Sequence, residues 1–133
     1  MSTELLSQKA LANFKGGYNC AQAVLLALTE HITPETKNEV IPKIAAGFGS
    51  GMGGCGSVCG SLIGGVMAVG IEYGSNDADP KKRAQANKYA QKLYRQFEQQ
   101  HGCVLCKELK TNKKACTALV ESVIEAYIAL EAP

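Results

Sequence analysis

Residues 47–60 read GFGSGMGGCGSVCG, and seven of these fourteen residues are glycine. A flexible loop accepts such a composition, but it has no need of the apolar side chains Phe48, Met52 and Val58. We therefore predict that this segment, called the glycine-rich turn below, is tight and partly buried, with backbone segments in close approach. Residues 58–73 follow as the most apolar predicted helix of the chain.

Small residues recur at every fourth position into and along that helix, at Gly56, Gly60, Gly64 and Ala68. Such a ridge removes side chains from one helix face, so another helix can approach it closely. One helix of the same domain could fill the groove. Because the helix is apolar nearly all round, however, we expect a symmetric homodimer with this helix or the glycine-rich turn near its interface.

The remainder of the chain has helical periodicity, and no segment alternates as a strand would. Asn19 is predicted to cap a second helix that starts at Cys20, and Thr111 or Asn112 to cap the last helix. Thr33-Pro34-Glu35 has the composition of a third helix start. The predicted fold is all-α, a compact bundle of five to seven helices around a glycine-rich buried turn, in a single domain spanning residues 1–133.

Charge and hydropathy exclude several classes of partner. The chain carries 14 basic and 12 acidic side chains, a net charge of +2, which does not favour nucleic acid or an anionic membrane. No apolar run reaches the roughly 18 residues of a membrane span, so no membrane insertion is expected. No secretory signal precedes the first helix, and we expect a cytoplasmic protein in which structural disulfides are rare.

Six cysteines in 133 residues carry the chemistry: Cys20, Cys55, Cys59, Cys103, Cys106 and Cys116. Four of them begin or adjoin predicted helices, where free N–H groups and the helix dipole are expected to lower a thiol pKa; these are Cys20, Cys59, Cys106 and Cys116. Four converging thiolates suit zinc or an iron–sulfur cluster, and without metal they are expected to pair as one or two disulfides. Taken singly, each cysteine is better explained as a small buried hydrophobe.

These elements resemble those of the C_GCAxxG_C_C family of redox-active proteins. Cys59-Gly60-Ser61-Leu62-Ile63-Gly64 is similar to the central element, with Ser61 where alanine is usual and Cys-Gly where the family name has Gly-Cys. Asn19-Cys20-Ala21-Gln22 resembles the first cysteine element, and Cys106 and Cys116 fit the last two. The resemblance covers essentially the whole chain and leaves Cys55 and Cys103 outside the four hallmark cysteines.

The resemblance extends to the iron–sulfur-binding part of split-Soret cytochromes, and it implies a [2Fe–2S] cluster on Cys20, Cys59, Cys106 and Cys116. The expected function is electron transfer or redox sensing with a redox partner protein that the sequence does not identify. We expect N–H groups of the glycine-rich turn to donate to the sulfurs and to set the potential.

Two alternatives remain open at this point. A metal-free thiol–disulfide oxidoreductase or redox switch would attack with Cys59 or Cys106 and resolve with Cys55 or Cys103. The third possibility is a structural zinc site in an interaction module.

Overall fold

Helices make up the whole regular structure of the chain, as a computed structural model shows for residues 2–35 and 39–131. Within these ranges there are seven α-helices, one 3₁₀ helix and no strand. They are α1 (Thr3–Lys15), α2 (Cys20–Ile32), α3 (Val40–Ile44), the 3₁₀ helix (Ala46–Phe48), α4 (Gly60–Tyr73), α5 (Pro80–His101), α6 (Cys106–Leu109) and α7 (Lys113–Ile128). The predicted all-α class is confirmed.

Side-chain caps fix where the long helices begin. The Asn19 side chain accepts a hydrogen bond from the Gln22 N–H at 2.8 Å, and the Gln22 side chain accepts one from the Asn19 N–H at 3.0 Å. This reciprocal pair is a capping box, and it makes Cys20 the first residue of α2. Asn112 is the N-cap residue of α7, and its side chain accepts from the Ala115 N–H at 2.9 Å.

The core lies where α2 and α4 pack against each other, with α1, α5 and α7 around them. Each helix contributes fully buried apolar side chains: Leu6 from α1, Val24 and Leu28 from α2, Leu62 and Val69 from α4, Leu93 and Phe97 from α5, and Val120, Val123 and Ile124 from α7. Among the residues that the structure describes, no helix is both long and apolar enough to cross a membrane.

The small-residue ridge of α4 faces α2 of the same chain. A Cβ atom added at Gly64 would lie 2.6 Å from the Ala21 carbonyl oxygen, and one added at Gly60 would lie 2.8 Å from the Cys20 sulfur. The ridge therefore serves packing inside the chain. The homodimer stays a prediction, and its interface would need another surface.

Two predicted helix starts are wrong. Thr33 ends α2, Pro34 and Glu35 lie in a turn, and the third helix begins only at Val40; residues 36–38 lie outside the described ranges. The apolar helix begins at Gly60 and not at residue 58, because Val58 forms an antiparallel bridge with Leu105. Its N-cap residue is therefore Cys59.

Candidate functional site

One cavity of about 440 Å³ is lined by four of the six cysteines, and we call it the cysteine cavity. The four are Cys20, Cys59, Cys106 and Cys116. The rest of its lining consists of Phe14, Asn19, Ser50, Ser61, Lys110, Thr111, Asn112 and Leu119. The structure thus brings together the four cysteines that the sequence analysis grouped, while their role as metal ligands stays a prediction.

Each of these cysteines enters the cavity from the start of a helix. Cys20 and Cys106 are the first residues of α2 and α6, and Cys59 is the N-cap residue of α4. Cys116 lies in the first turn of α7, where its N–H donates to the Asn112 carbonyl at 3.3 Å. The positive dipole ends of the three longer helices, α2, α4 and α7, therefore lie at the cavity and favour negative charge inside it.

Backbone pairing between two distant segments sets Cys59 beside Cys106. The Cys59 N–H donates to the Val104 carbonyl at 2.8 Å, and the Cys106 N–H donates to the Ser57 carbonyl at 2.7 Å. Together with the Val58–Leu105 bridge, these bonds join the end of the glycine-rich turn to the start of α6. The two cysteines are thereby positioned by main-chain geometry as well as by helix packing.

The glycine-rich turn fits under Cys106 because five consecutive residues, 50–54, are left-handed, with φ between 52° and 82°. Gly51 is the closest point: a Cβ atom there would lie 2.7 Å from the Cys106 Cβ and 2.6 Å from the Ser57 nitrogen. Only glycine accommodates both the backbone conformation and the contact.

The N–H groups of this turn are largely used within it. Those of Met52, Gly54, Cys55, Gly56 and Ser57 donate to carbonyl groups of the turn itself. The expectation that the turn supplies donors to the sulfurs is therefore wrong for these five groups. The N–H groups that act on the Cys59 thiol belong instead to Leu62 and Ser61, in the first turn of α4.

Polar side chains tie the walls of the cavity together. The Asn19 side-chain amide donates to the Ala46 carbonyl at 2.9 Å, which fixes the start of α2 to the 3₁₀ helix. The Lys110 ammonium donates to the Ser50 hydroxyl at 3.0 Å and links the segment after α6 to the glycine-rich turn.

Burial raises the pKa of the Cys59 thiol to about 11, despite the opposing effect of the Leu62 and Ser61 N–H groups. The pKa values of Cys106 and Cys116 are raised as well, by burial first and then by the neighbouring Cys20, while Lys110 lowers both. The expectation that helix starts lower the thiol pKa is therefore wrong for these three cysteines, because desolvation outweighs the helix ends.

The donor set around the cavity consists of four cysteine thiols. No three cysteine, histidine, aspartate or glutamate side chains in residues 2–35 and 39–131 lie close enough together to hold one metal ion. A tetrahedral zinc site needs sulfurs roughly 3.8 Å apart, given bonds of about 2.3 Å. An iron–sulfur cluster distributes four thiolates over more than one iron and suits a wider arrangement. The expected disulfides are absent, since all six cysteines are free thiols.

The other two cysteines do not line the cavity: Cys55 is exposed and Cys103 is partly exposed. The sequence pointed only to cysteines, so the eight other lining residues were not predicted as parts of the site, Ser61 and Lys110 among them. Ser61 follows Cys59 by two residues, and Lys110 belongs to a basic stretch that suggests only a solvated helix end. Neither had a local signal strong enough to assign it to the site.

Comparison with known proteins gives one family match. A family model described as "Putative redox-active protein (C_GCAxxG_C_C)" matches residues 18–130, which include all six cysteines. No curated protein and no solved structure matches the chain.

Proposed function

Because the chain belongs to the C_GCAxxG_C_C family, we propose that it is a redox protein whose four cavity cysteines hold an iron–sulfur cluster, most simply [2Fe–2S]. Such a cluster, when bound, takes up and releases single electrons. The observation that carries the proposal is the meeting of Cys20, Cys59, Cys106 and Cys116 around one cavity. Electron transfer or redox sensing is the corresponding role.

Three properties of the chain would affect iron binding at this site: the protonation of the thiols, the charge of Lys110 and N–H groups near Cys59. Burial holds Cys59, Cys106 and Cys116 as neutral thiols at pH 7, so iron binding would displace their protons and would weaken as the pH falls. Lys110, which favours the ionised forms of Cys106 and Cys116, would offset part of the thiolate charge. The N–H groups of Leu62 and Ser61 would stabilise the Cys59 thiolate.

A redox partner protein would approach through the mouth of the cavity. Three consecutive lining residues, Lys110, Thr111 and Asn112, are exposed, whereas Cys59 is only 3% exposed. The connection between α6 and α7 is therefore the short route between the cavity and a docked partner.

The thiol–disulfide alternative is less well supported. Attack on a disulfide requires a thiolate, and a pKa of about 11 leaves roughly one Cys59 thiol in ten thousand ionised at pH 7. The proposed resolving residues, Cys55 and Cys103, do not line the cavity. For the structural zinc alternative, the described residues contain no group of three candidate ligands that could hold one ion.

Metal analysis of protein purified without oxygen tests the proposal. We expect a brown protein with iron and acid-labile sulfide in equal amounts per chain. Stoichiometric zinc without iron would support the interaction module instead. A colourless, metal-free protein that cycles reversibly between dithiol and disulfide would support the oxidoreductase, and either result would contradict the cluster.

A further inference from the structure

Ser61 is a fully buried residue whose hydroxyl has no hydrogen-bond partner in the described part of the chain. Buried hydroxyl groups are nearly always hydrogen-bonded, because leaving one without a partner is costly. Ser61 also lines the cysteine cavity, two residues after Cys59. A group bound in the cavity could therefore be the hydrogen-bond partner of this hydroxyl.

The usual local partner of a helical serine makes no bond to the Ser61 hydroxyl in the structure. Serine in a helix commonly donates back to the carbonyl group four residues earlier. For Ser61 that residue is Ser57, whose carbonyl accepts the Cys106 N–H at 2.7 Å in the bridge between the two segments. Without a bond to that carbonyl, the Ser61 hydroxyl is available to the cavity that it lines.

We propose that the Ser61 hydroxyl donates a hydrogen bond to a sulfur of the bound iron–sulfur cluster and thereby raises its reduction potential. This inference rests on the proposed function. A hydrogen bond to sulfur stabilises the more negative, reduced form more than the oxidised form, so its loss makes reduction harder. Ser61 is a positioning and tuning residue for the cluster and takes no part in bond making or breaking.

Replacement of Ser61 with alanine removes the donor and little else. Because the hydroxyl has no partner within the described residues, Ser61→Ala should fold normally and should be at least as stable as wild type when no iron is bound. The iron content per chain should match that of wild type. The one-electron midpoint potential should fall by about 59 mV, which corresponds to a tenfold change in the reduction equilibrium.

Thr29→Val is a matched control. Thr29 lies on α2, is also buried, and has a hydroxyl without a partner in the described ranges, but it does not line the cavity. Valine keeps the side-chain shape and removes this hydroxyl, so the effect on stability should resemble that of Ser61→Ala. The midpoint potential should stay at the wild-type value.

Potentiometric titration of wild type, Ser61→Ala and Thr29→Val, followed by visible absorbance, tests whether the Ser61 hydroxyl raises the potential. A lower potential for Ser61→Ala alone supports the hydrogen bond. Equal potentials for wild type and Ser61→Ala, with normal iron content, would overturn the inference and leave the cluster proposal intact. If wild type itself binds no iron–sulfur cluster under anaerobic purification and reconstitution, both the inference and the proposed function fail.

Discussion

Gly64 marks the point where α4 crosses α2, and replacing it with alanine tests whether the small-residue ridge serves packing within the chain. The added Cβ would lie 2.6 Å from the Ala21 carbonyl oxygen and 3.2 Å from the Val24 Cβ, whereas ordinary contact begins at 3.4 Å. The nearest obstacle is backbone, which cannot rotate away as a flexible side chain would. The two helices must therefore separate by several tenths of an ångström.

Gly70 provides the matched control for this change. It lies in the same helix, is exposed, and has nothing within 4 Å of an added Cβ. Both substitutions gain about 1 kcal/mol of helix propensity, so this gain cancels when the variants are compared. Gly64→Ala alone suffers overpacking, which costs about 1–3 kcal/mol. We expect Gly70→Ala to be more stable than wild type and Gly64→Ala to be less stable than Gly70→Ala by that amount.

Urea unfolding followed by circular dichroism measures both free energies of unfolding. Because Cys20 is adjacent to Ala21, a displaced α2 should also reduce the iron retained by Gly64→Ala, while Gly70→Ala should retain it. Equal stability of the two variants would refute the reasoning, since it would mean that α2 does not press on the ridge.

Three further predictions concern the turn, pH and assembly. Gly51→Ala should lose about 2–5 kcal/mol of stability in urea unfolding. The φ of +69° at Gly51 and the closeness of Ser57 and Cys106 leave no room for a Cβ atom. Wild-type stability of this variant would contradict the prediction. The folded chain binds the Cys59 proton more tightly than the unfolded chain, because burial raises the pKa of this thiol to about 11. In chelator-treated protein, the resulting contribution to the free energy of unfolding is therefore complete below pH 9 and is lost as the pH rises to about 11. Cys59→Ala should flatten that part of the stability profile, and an unchanged slope would disprove the reasoning. Light scattering on dilute protein should give twice the chain mass of 14.1 kDa, whereas a monomeric mass would rule out the homodimer.

Local signals were sufficient for the all-helical class and for the caps of α2 and α7. Asn19 and Asn112 bond to N–H groups only three residues away, so the sequence alone locates the starts of α2 and α7. The start of α4 depends on the bridge between Val58 and Leu105. These residues are far apart in the sequence, and no local pattern predicts that they pair. The helix start predicted at Thr33-Pro34-Glu35 failed because the same residues also suit the turn that follows α2.

The grouping of the four cysteines could be predicted from local sequence, whereas the pKa values of their thiols could not. Four cysteines at helix starts could be grouped because the start of a helix that faces the core is a local property. Their acidity could not be predicted, because desolvation depends on how several helices close over Cys59, Cys106 and Cys116. Ser61 was missed as a site residue for the same reason: the burial of its hydroxyl without a partner depends on how the helices pack.

Iron content across six single cysteine-to-serine variants tests the central claim most directly. The cavity cysteines are Cys20, Cys59, Cys106 and Cys116, and the matched controls outside it are Cys55 and Cys103. After identical anaerobic purification, each cavity variant should lose the iron and the visible absorbance, while both control variants should retain the wild-type amounts. Full iron content in any cavity variant, or loss of iron in either control, would contradict the four-cysteine site.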